Sequence, residues 1–321
     1  MAGRQLPGPD ALDKKRSPGQ CTIQGCRRSI NPDEKRRSEM AIKKVGVLGP
    51  GQMGTGIIQV FAQAGYDVTA VGSSQEKLDR AVSSIEKRLA GRVEKGKMTV
   101  DEKNAVIGRI STSTNLKDLS DCDLIEEAIP EDLEMKKKVF AELDKVCKPE
   151  TIFGTVTSGL SVTDMAAATG RGDKLLGIHF HNPAPVMRLL ELVRTIMTSN
   201  ETIETVKKFG GTLGKTVVVA PDVGGFIVTR LFTPFLLGAI RMLESGIATR
   251  DEIDISMKMA VNHPMGPLEV VDFIGLDTEL SIAESLYEET KDSKYAPPLL
   301  LKKMVTAGWL GRKTGKGFYE Y

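Results

Sequence analysis

The residues best suited to chemistry lie in one short stretch, Gly177-Ile178-His179-Phe180-His181-Asn182-Pro183-Ala184-Pro185-Val186-Met187-Arg188-Leu189-Leu190-Glu191. The chain has 321 residues and only three histidines, two of which are here. Histidine is the side chain whose unperturbed pKa suits proton transfer near neutrality. Twelve residues beyond His179, Glu191 can return on the adjacent element and hold the imidazole in one tautomer. His179 and His181 are two apart, so on a strand they share a face. That makes a metal pair conceivable, but no third ligand is evident and no metal is expected. On residue type alone, a structural histidine is as good a reading as a catalytic one.

A base of this kind serves alcohol oxidation when a cofactor takes the hydride, and the sequence offers a place for one. Ile42-Lys43-Lys44-Val45-Gly46-Val47-Leu48 is a short apolar run that ends in Gly49-Pro50-Gly51-Gln52-Met53-Gly54, a G-x-G-x-x-G directly after a strand candidate. Apolar residues at helical spacing follow at Ile57, Ile58, Phe61 and Ala62. Gly65 ends that helix, and Asp67–Val71 reads as a second strand. The glycines let the backbone approach a pyrophosphate, whose charge meets the helix N-terminus. The acidic residue that normally binds the adenosine ribose is missing, because the second strand ends in Gly72, followed by Ser73 and Ser74. Asp67 is at the wrong end of that strand. NAD is the expected cofactor. NADP is open as well, since no carboxylate repels a 2′-phosphate and Ser73, Ser74, Lys77 or Arg80 can bind one.

Further strand candidates are Ile110–Ser113, Leu124–Ala128, Ile152–Thr155, Leu175–Phe180 and Thr216–Val219, with helical stretches between most of them. This alternation predicts an α/β fold, a Rossmann-type doubly wound and mainly parallel sheet with helices on both faces. Ligands sit at the carboxyl ends of such strands, where Glu131, Ser158 and His179 fall. Residues 77–97 form a basic helical stretch, either a solvated face or a contact surface for a polyphosphate. Pro221 to Gly225 breaks the last strand. Beyond it, Ile227, Leu231, Phe235, Ile240 and Leu243 mark a long helix, and 223–321 reads as all-helical.

Composition narrows the class of protein. With 44 basic and 42 acidic residues, the net charge of +2 gives no case for nucleic acid or membrane as a partner. No apolar run approaches the roughly 18 residues of a membrane span, and four cysteines do not make a disulfide scaffold. A cytoplasmic protein is expected. Residues 1–40 differ from the rest, with nine Lys or Arg against five Asp or Glu and little apolar periodicity. They read as a disordered basic tail, in which Cys21 and Cys26 are incidental thiols. The expected domains are the tail (1–40), an NAD(P)-binding Rossmann domain (41–222) and a helical C-terminal domain (223–321).

From about Lys43 to Tyr321 the chain resembles the 3-hydroxyacyl-CoA dehydrogenase family, including the bacterial 3-hydroxybutyryl-CoA dehydrogenases. The resemblance rests on Gly49-Pro50-Gly51-Gln52-Met53-Gly54-Thr55-Gly56-Ile57, on His179 to Glu191, on Asn262-His263-Pro264-Met265-Gly266-Pro267-Leu268 with Asp272-Phe273-Ile274-Gly275-Leu276-Asp277, and on Gly311-Arg312-Lys313-Thr314-Gly315-Lys316-Gly317-Phe318-Tyr319. It implies that His179 is the general base, Glu191 its orienting carboxylate and Ser158 the serine touching substrate and cofactor. Asn182 and Glu131 match nicotinamide-side and ribose contacts, and Lys136 and Lys313 match basic residues near the cofactor. The 77–97 stretch, with Arg88 and Lys95, matches the region over which coenzyme A lies. The implied reaction interconverts (S)-3-hydroxyacyl-CoA, short-chain by resemblance, and 3-oxoacyl-CoA, with NAD(P) as hydride partner. The implied assembly is a homodimer through the helical domain.

Three departures bear on specificity. Val156-Thr157-Ser158-Gly159-Leu160 stands where the family usually has Asn-Thr-Ser-Ser-Leu. Gly224-Gly225-Phe226-Ile227-Val228-Thr229-Arg230 stands for Pro-Gly-Phe-x-x-Asn-Arg, so Thr229 replaces a substrate-binding asparagine with a shorter hydroxyl. Gly72 replaces the ribose-binding acid. The alternatives to the family reaction are a related dehydrogenase of a free hydroxy acid, indifferent to charge at Arg88 and Lys95, and a catalytically idle dinucleotide-binding protein.

Overall fold

The computed structural model describes residues 42–321, so the expected basic tail and its two cysteines lie outside the described residues. Eight strands form one sheet: β1 (Lys44–Leu48), β2 (Asp67–Val71), β3 (Ile110–Ser113), β4 (Leu124–Glu127), β5 (Ile152–Thr155), β6 (Leu175–Phe180), β7 (Leu189–Arg194) and β8 (Thr216–Pro221). Their order is β3-β2-β1-β4-β5-β6-β7-β8. The first six follow the doubly wound order, whose direction switches between β1 and β4 and opens a crevice there. Helices α1 (Gln52–Gln63), α2 (Gln75–Glu94), α3 (Val100–Gly108), α4 (Leu133–Val146), α5 (Val162–Ala167) and α6 (Asn200–Thr212) are interspersed with the strands.

Burial explains the apolar strands. Every residue of β4, β5 and β6 is buried, as in a sheet covered on both faces. One core joins the strands to Ile57, Phe61, Leu78, Ile85 and Phe209 of α1, α2 and α6. Phe61 stands edge-on to Phe180 and Phe209, at 6.0 and 5.3 Å between centroids. A second core brings in Phe140, Leu143, Val162 and Met165 from α4 and α5.

The sheet departs from a mainly parallel reading at one strand. β7 was not foreseen, and it pairs antiparallel with β6, placing Glu191 directly opposite His179. Leu190, Glu191, Leu192 and Val193 are all buried, so the strand has no in–out alternation to announce it. Parallel pairing resumes between β7 and β8.

Beyond β8 come α7 (Val228–Glu244), α8 (Arg250–Val261), α9 (Pro267–Ile274), α10 (Leu276–Thr290) and α11 (Leu299–Thr306), packed on a third core that includes Leu236, Leu237, Ile240, Leu268 and Leu276. The Gly266-Pro267 pair starts α9, with Pro267 in the first turn. Asp254 of α8 accepts the Leu268 and Glu269 N–H groups at 2.8 and 3.0 Å. A Cβ on Gly266 would stand 2.2 Å from the Asp254 side chain, so only glycine fits there.

One buried group works against the fold. Glu126 of β4 is fully buried, neither carboxyl oxygen has a hydrogen-bond partner, and its carboxyl lies over Gly154. Burial, aided by the charge of Glu127, pushes its pKa well above 4.5. The folded chain therefore keeps a proton that the unfolded chain releases, and stability falls as pH rises above the unfolded carboxyl pKa. Glu126→Gln removes this contribution. Thermal melts at about pH 5 and pH 8 should show the variant losing less stability than the parent, by about 1–3 kcal/mol. Equal losses in the two proteins would refute it.

Candidate active site

The glycine loop forms the floor of the crevice. Gly49 has φ +101°, and a Cβ there would stand 2.6 Å from the Ala128 carbonyl oxygen. A Cβ on Gly54 would stand 1.8 Å from the Gly49 oxygen, so this glycine serves the tight strand-to-helix turn and does not line the cavity. At Gly51 the space is open. Helix α1 starts at Gln52 with no side-chain cap, leaving its first N–H groups free for an anion. A cavity of about 880 Å³ opens above, lined in part by Gly49, Gly51, Gln52, Met53, Gly72 and Ser73. Glu131 and Ser158 lie on the same wall. These residues fit a dinucleotide: an open glycine, uncapped N–H groups at the crevice and a long cavity.

The β2 end of the cavity carries Ser73, Lys77 and Thr114. The Lys77 ammonium donates to Ser73 Oγ at 3.1 Å, and Ser74 begins α2 without using its side chain as a cap. Gly72 has a steric reason for being glycine. A Cβ there would stand 2.8 and 2.9 Å from Pro50 Cγ and Cδ. A shallower recess of about 360 Å³ lies beside it, lined by Lys77, Arg80 and Ser84 with the start of α1.

Ser158, His179 and Glu191 form a line leading away from the cavity. Ser158 Oγ is 3.1 Å from His179 Nε2. His179 Nδ1 is 2.8 Å from Glu191 Oε2, the arrangement in which Nδ1–H donates to the carboxylate and Nε2 accepts. Phe226 packs edge-on against the imidazole, 5.5 Å between centroids, and itself holds φ +47°. That left-handed turn delivers the N–H groups of Ile227 and Val228 to Glu191 Oε1, at 3.2 and 3.1 Å. The carboxylate thus caps the N-terminus of α7. Burial alone would raise the Glu191 pKa. Hydrogen bonds from His179 and Val228, with the His181 ring nitrogen nearby, outweigh it and hold the group far below the ordinary carboxylate range.

His181 Nε2 lies 3.4 Å from the same Oε2. The structure thereby supplies the third donor that was not evident in the sequence, with the ligand atoms of His179, His181 and Glu191 within 4.8 Å of one another. The Nδ1–Oε2 separation of 2.8 Å is a hydrogen-bond distance. Two ligands of one tetrahedral zinc ion stand roughly 3.3 Å apart.

Several expected contacts are corrected. Lys136 is fully buried and does not line the cavity. Its ammonium spans Glu127 at 2.7 and 2.9 Å and the Val156 carbonyl at 2.9 Å, with Glu131 Oε2 at 3.6 Å. It therefore supports the wall behind Glu131. Lys313 lies among the C-terminal helices, paired with Asp277 at 2.5 Å, because the chain returns there to pack its last turns on α9 and α10. Arg88 and Lys95 are exposed and line neither cavity; on that basic stretch Lys77 and Arg80 face one. Asn182 is exposed beside the crevice, its Oδ1 accepting from Gln52 Nε2 at 3.4 Å. Thr229 is half-buried in the first turn of α7, next to the N–H groups that Glu191 accepts.

Two residues that shape the wall were missed. Thr157 is buried, donates to Glu131 and accepts the N–H groups of Gly159 and Leu160. Glu127 takes Lys136, the Thr155 hydroxyl at 2.6 Å and the Ile129 N–H at 2.7 Å. Two adjacent glutamates in an otherwise apolar strand were the available signal.

Comparison with known proteins gives a consistent picture. The family model described as 3-hydroxyacyl-CoA dehydrogenase, NAD binding domain, matches residues 44–223, and that of its C-terminal domain matches 225–321. A 3-hydroxybutyryl-CoA dehydrogenase of Bradyrhizobium diazoefficiens is 49% identical over 280 residues, 87% of this chain and 96% of that protein. The mitochondrial hydroxyacyl-coenzyme A dehydrogenase of Sus scrofa is 40% identical over 88% of this chain and 92% of its own. The crystal structure of (S)-3-hydroxybutyryl-CoA dehydrogenase from Ralstonia eutropha superposes with a TM-score of 0.85 at 40% identity, covering 88% of this chain and 99% of that one.

The buried Lys136–Glu127 pair invites a double-mutant cycle. Lys136→Met leaves a buried carboxylate unpaired and should cost about 3–5 kcal/mol in denaturant unfolding. Adding Glu127→Gln should recover much of that loss. Additive losses would show that the two side chains do not depend on each other.

Proposed function

The chain belongs to the 3-hydroxyacyl-CoA dehydrogenase family, and from that premise we propose that it interconverts short-chain (S)-3-hydroxyacyl-CoA and 3-oxoacyl-CoA. The observation that carries this reading is the Ser158–His179–Glu191 line, which ends at the wall of a cavity built for a dinucleotide. The 3-hydroxybutyryl-CoA dehydrogenases at 44–49% identity support the chain length.

The protein's own groups divide the work. Ser158 Oγ holds the substrate oxygen at C3. His179 Nε2 takes the hydroxyl proton in oxidation and returns it in reduction. Glu191 keeps Nδ1 protonated, so that Nε2 presents its lone pair, and then stabilises the imidazolium. The dinucleotide, held by Gly49, Gly51, Gln52 and Met53 with Glu131 beside it, supplies the hydride acceptor or donor. Phe226 packs against the imidazole, and we assign the acyl portion to the side of Thr229, one residue beyond the Val228 N–H that Glu191 accepts.

For the cofactor, we propose NAD(H) with acceptance of NADP(H). Where β2 runs into α2, a 2′-phosphate would meet Ser73, Lys77 and the N-terminus of a 20-residue helix, with no acidic group among the lining side chains there. Pro50 keeps it so, because its ring occupies the space of any side chain at 72. The division into a dinucleotide domain (41–222) and a helical domain (223–321) belongs to the same proposal. So does a homodimer: Leu231, Ile247 and Met259 are more than 70% exposed, an apolar surface for a second copy to cover. The cytoplasm fits a chain whose described helices are nowhere long and apolar enough to cross a membrane.

Acetoacetyl-CoA reduction by the purified protein tests the reaction. Turnover is expected, and His179→Gln should lower kcat by about 10²–10⁴ while dinucleotide affinity changes little. No turnover in the parent, or normal turnover in the variant, overturns the assignment. A second experiment tests the cofactor reading, which expects kcat/KM with NADPH within about tenfold of that with NADH. Gly72→Asp alone should cost about 1–3 kcal/mol through overpacking against Pro50. Pro50→Ala/Gly72→Asp should regain stability and depress NADPH use at least about tenfold by like-charge repulsion, sparing NADH.

A further inference from the structure

We propose that His181 is a positioning residue that shares the Glu191 carboxylate with His179 and so sets how strongly that carboxylate holds the imidazole of the base. The inference rests on the reaction assigned above and concerns a side chain that this reaction does not use. The His181 ring lies beside that of His179, 4.6 Å between centroids and tilted by 57°. Its Nε2 is buried and makes no well-formed hydrogen bond, yet it sits 3.4 Å from Glu191 Oε2, the oxygen that His179 Nδ1 also approaches. Glu191 is fully buried, so no water competes for that oxygen.

Two effects of this placement have the same sign. A neutral His181 whose Nε2–H points toward Oε2 stabilises the carboxylate and leaves it less negative potential to give to the His179 imidazolium. A protonated His181 at this range repels that imidazolium directly. Either way, the Glu191 carboxylate is not left to His179 alone. The neighbouring charged groups do not offset this. From β7 comes Glu191, and from β6 His179. The turn into α7 contributes only the Ile227 and Val228 N–H groups, both on the other carboxylate oxygen. Lys215, near the same loop, is held by the Ala184 and Met187 carbonyls at 2.6 Å each. His181 thus loosens the hold of Glu191 on the base.

The test pairs His181→Phe, which keeps a ring in the same place, with His181→Gln, which keeps an N–H near the position of Nε2. The acid limb of kcat/KM for 3-hydroxybutyryl-CoA oxidation should move up by about half a pH unit or more in the Phe variant and return to within about 0.2 unit of the parent in the Gln variant. A second readout needs neither substrate nor cofactor. The low-field Nδ1–H proton resonance of His179, assignable in a chain of three histidines, should move further downfield in the Phe variant and back in the Gln variant. An unmoved limb and resonance in His181→Phe overturn the proposal, as do equal shifts in both variants, which would mean that ring packing alone is at work. If the parent does not oxidise the substrate, the assigned reaction fails instead, and the resonance decides the role of His181.

Discussion

Much of this protein depends on where one carboxylate finds its donors. Glu191 is fully buried and receives the imidazole of His179, the edge of His181 and two backbone N–H groups at the start of α7. A buried charge without such partners would cost more than the fold can bear. Each donor comes from a different decision of the chain. The antiparallel register of β6 and β7 sets Glu191 opposite His179. A slip of one residue would turn the carboxylate to the other face of the sheet. The left-handed Phe226 turns the backbone after β8 so that α7 begins at the carboxylate. The His179 imidazole, the strand pairing and the first helix of the C-terminal region are therefore one structural condition.

The dinucleotide end is governed by exclusion. Gly49 and Gly54 are glycines because backbone oxygens occupy the space of their side chains, whereas Gly51 faces open space and Gly72 faces Pro50. The missing acid at the end of β2 is thus the result of two positions. A proline in the loop and a carboxylate at 72 compete for the same volume. The cavity wall is set from behind in a similar way. The Lys136 ammonium, seated on Glu127 and the Val156 carbonyl, lies within 3.6 Å of Glu131 and fixes a carboxylate that also takes the Thr157 hydroxyl and the Ser158 N–H.

The local signals for this site were legible in the sequence wherever backbone geometry demands a residue type. The glycine loop, the pairing of Glu191 with His179 and the position of Ser158 at a strand end were readable that way. The strand β7 was not, since it is buried on both faces and follows a proline-rich segment that reads as loop. Lysines were the least legible. A sequence gives a lysine's charge and reach but not the carboxylate that will hold it, so Lys136 and Lys313 both read as cofactor contacts. One turned out to be buried with Glu127 and the other paired with Asp277. The basic face of α2 shows the same limit: Arg88 lies on the same side of the helix as Lys77, so distance along the axis, about 16 Å, and not charge or rotation leaves Arg88 and Lys95 away from the recess that Lys77 and Arg80 line.

The buried glutamates show why residue type alone could not decide these cases. Glu126 and Glu127 are adjacent in one strand and equally buried, but they project to opposite faces of the sheet. Glu127 meets an ammonium, a hydroxyl and an N–H. Glu126 meets none of these, and burial drives it toward the protonated form. Glu279, buried on α10 with one oxygen unpartnered, is pushed up to about 8 by the same desolvation. Glu191, which accepts from His179 Nδ1 and two backbone N–H groups, is driven the other way. Desolvation and the N–H and O–H groups that the fold delivers together set each of these carboxyls, and at Glu127 burial still prevails over its donors. The carboxylate held below its ordinary range is the one beside the His179 imidazole, where the proposed reaction needs a negative charge to persist while that imidazole gains a proton. Holding that charge in place before the proton arrives spares the site a reorganisation at the moment of reaction.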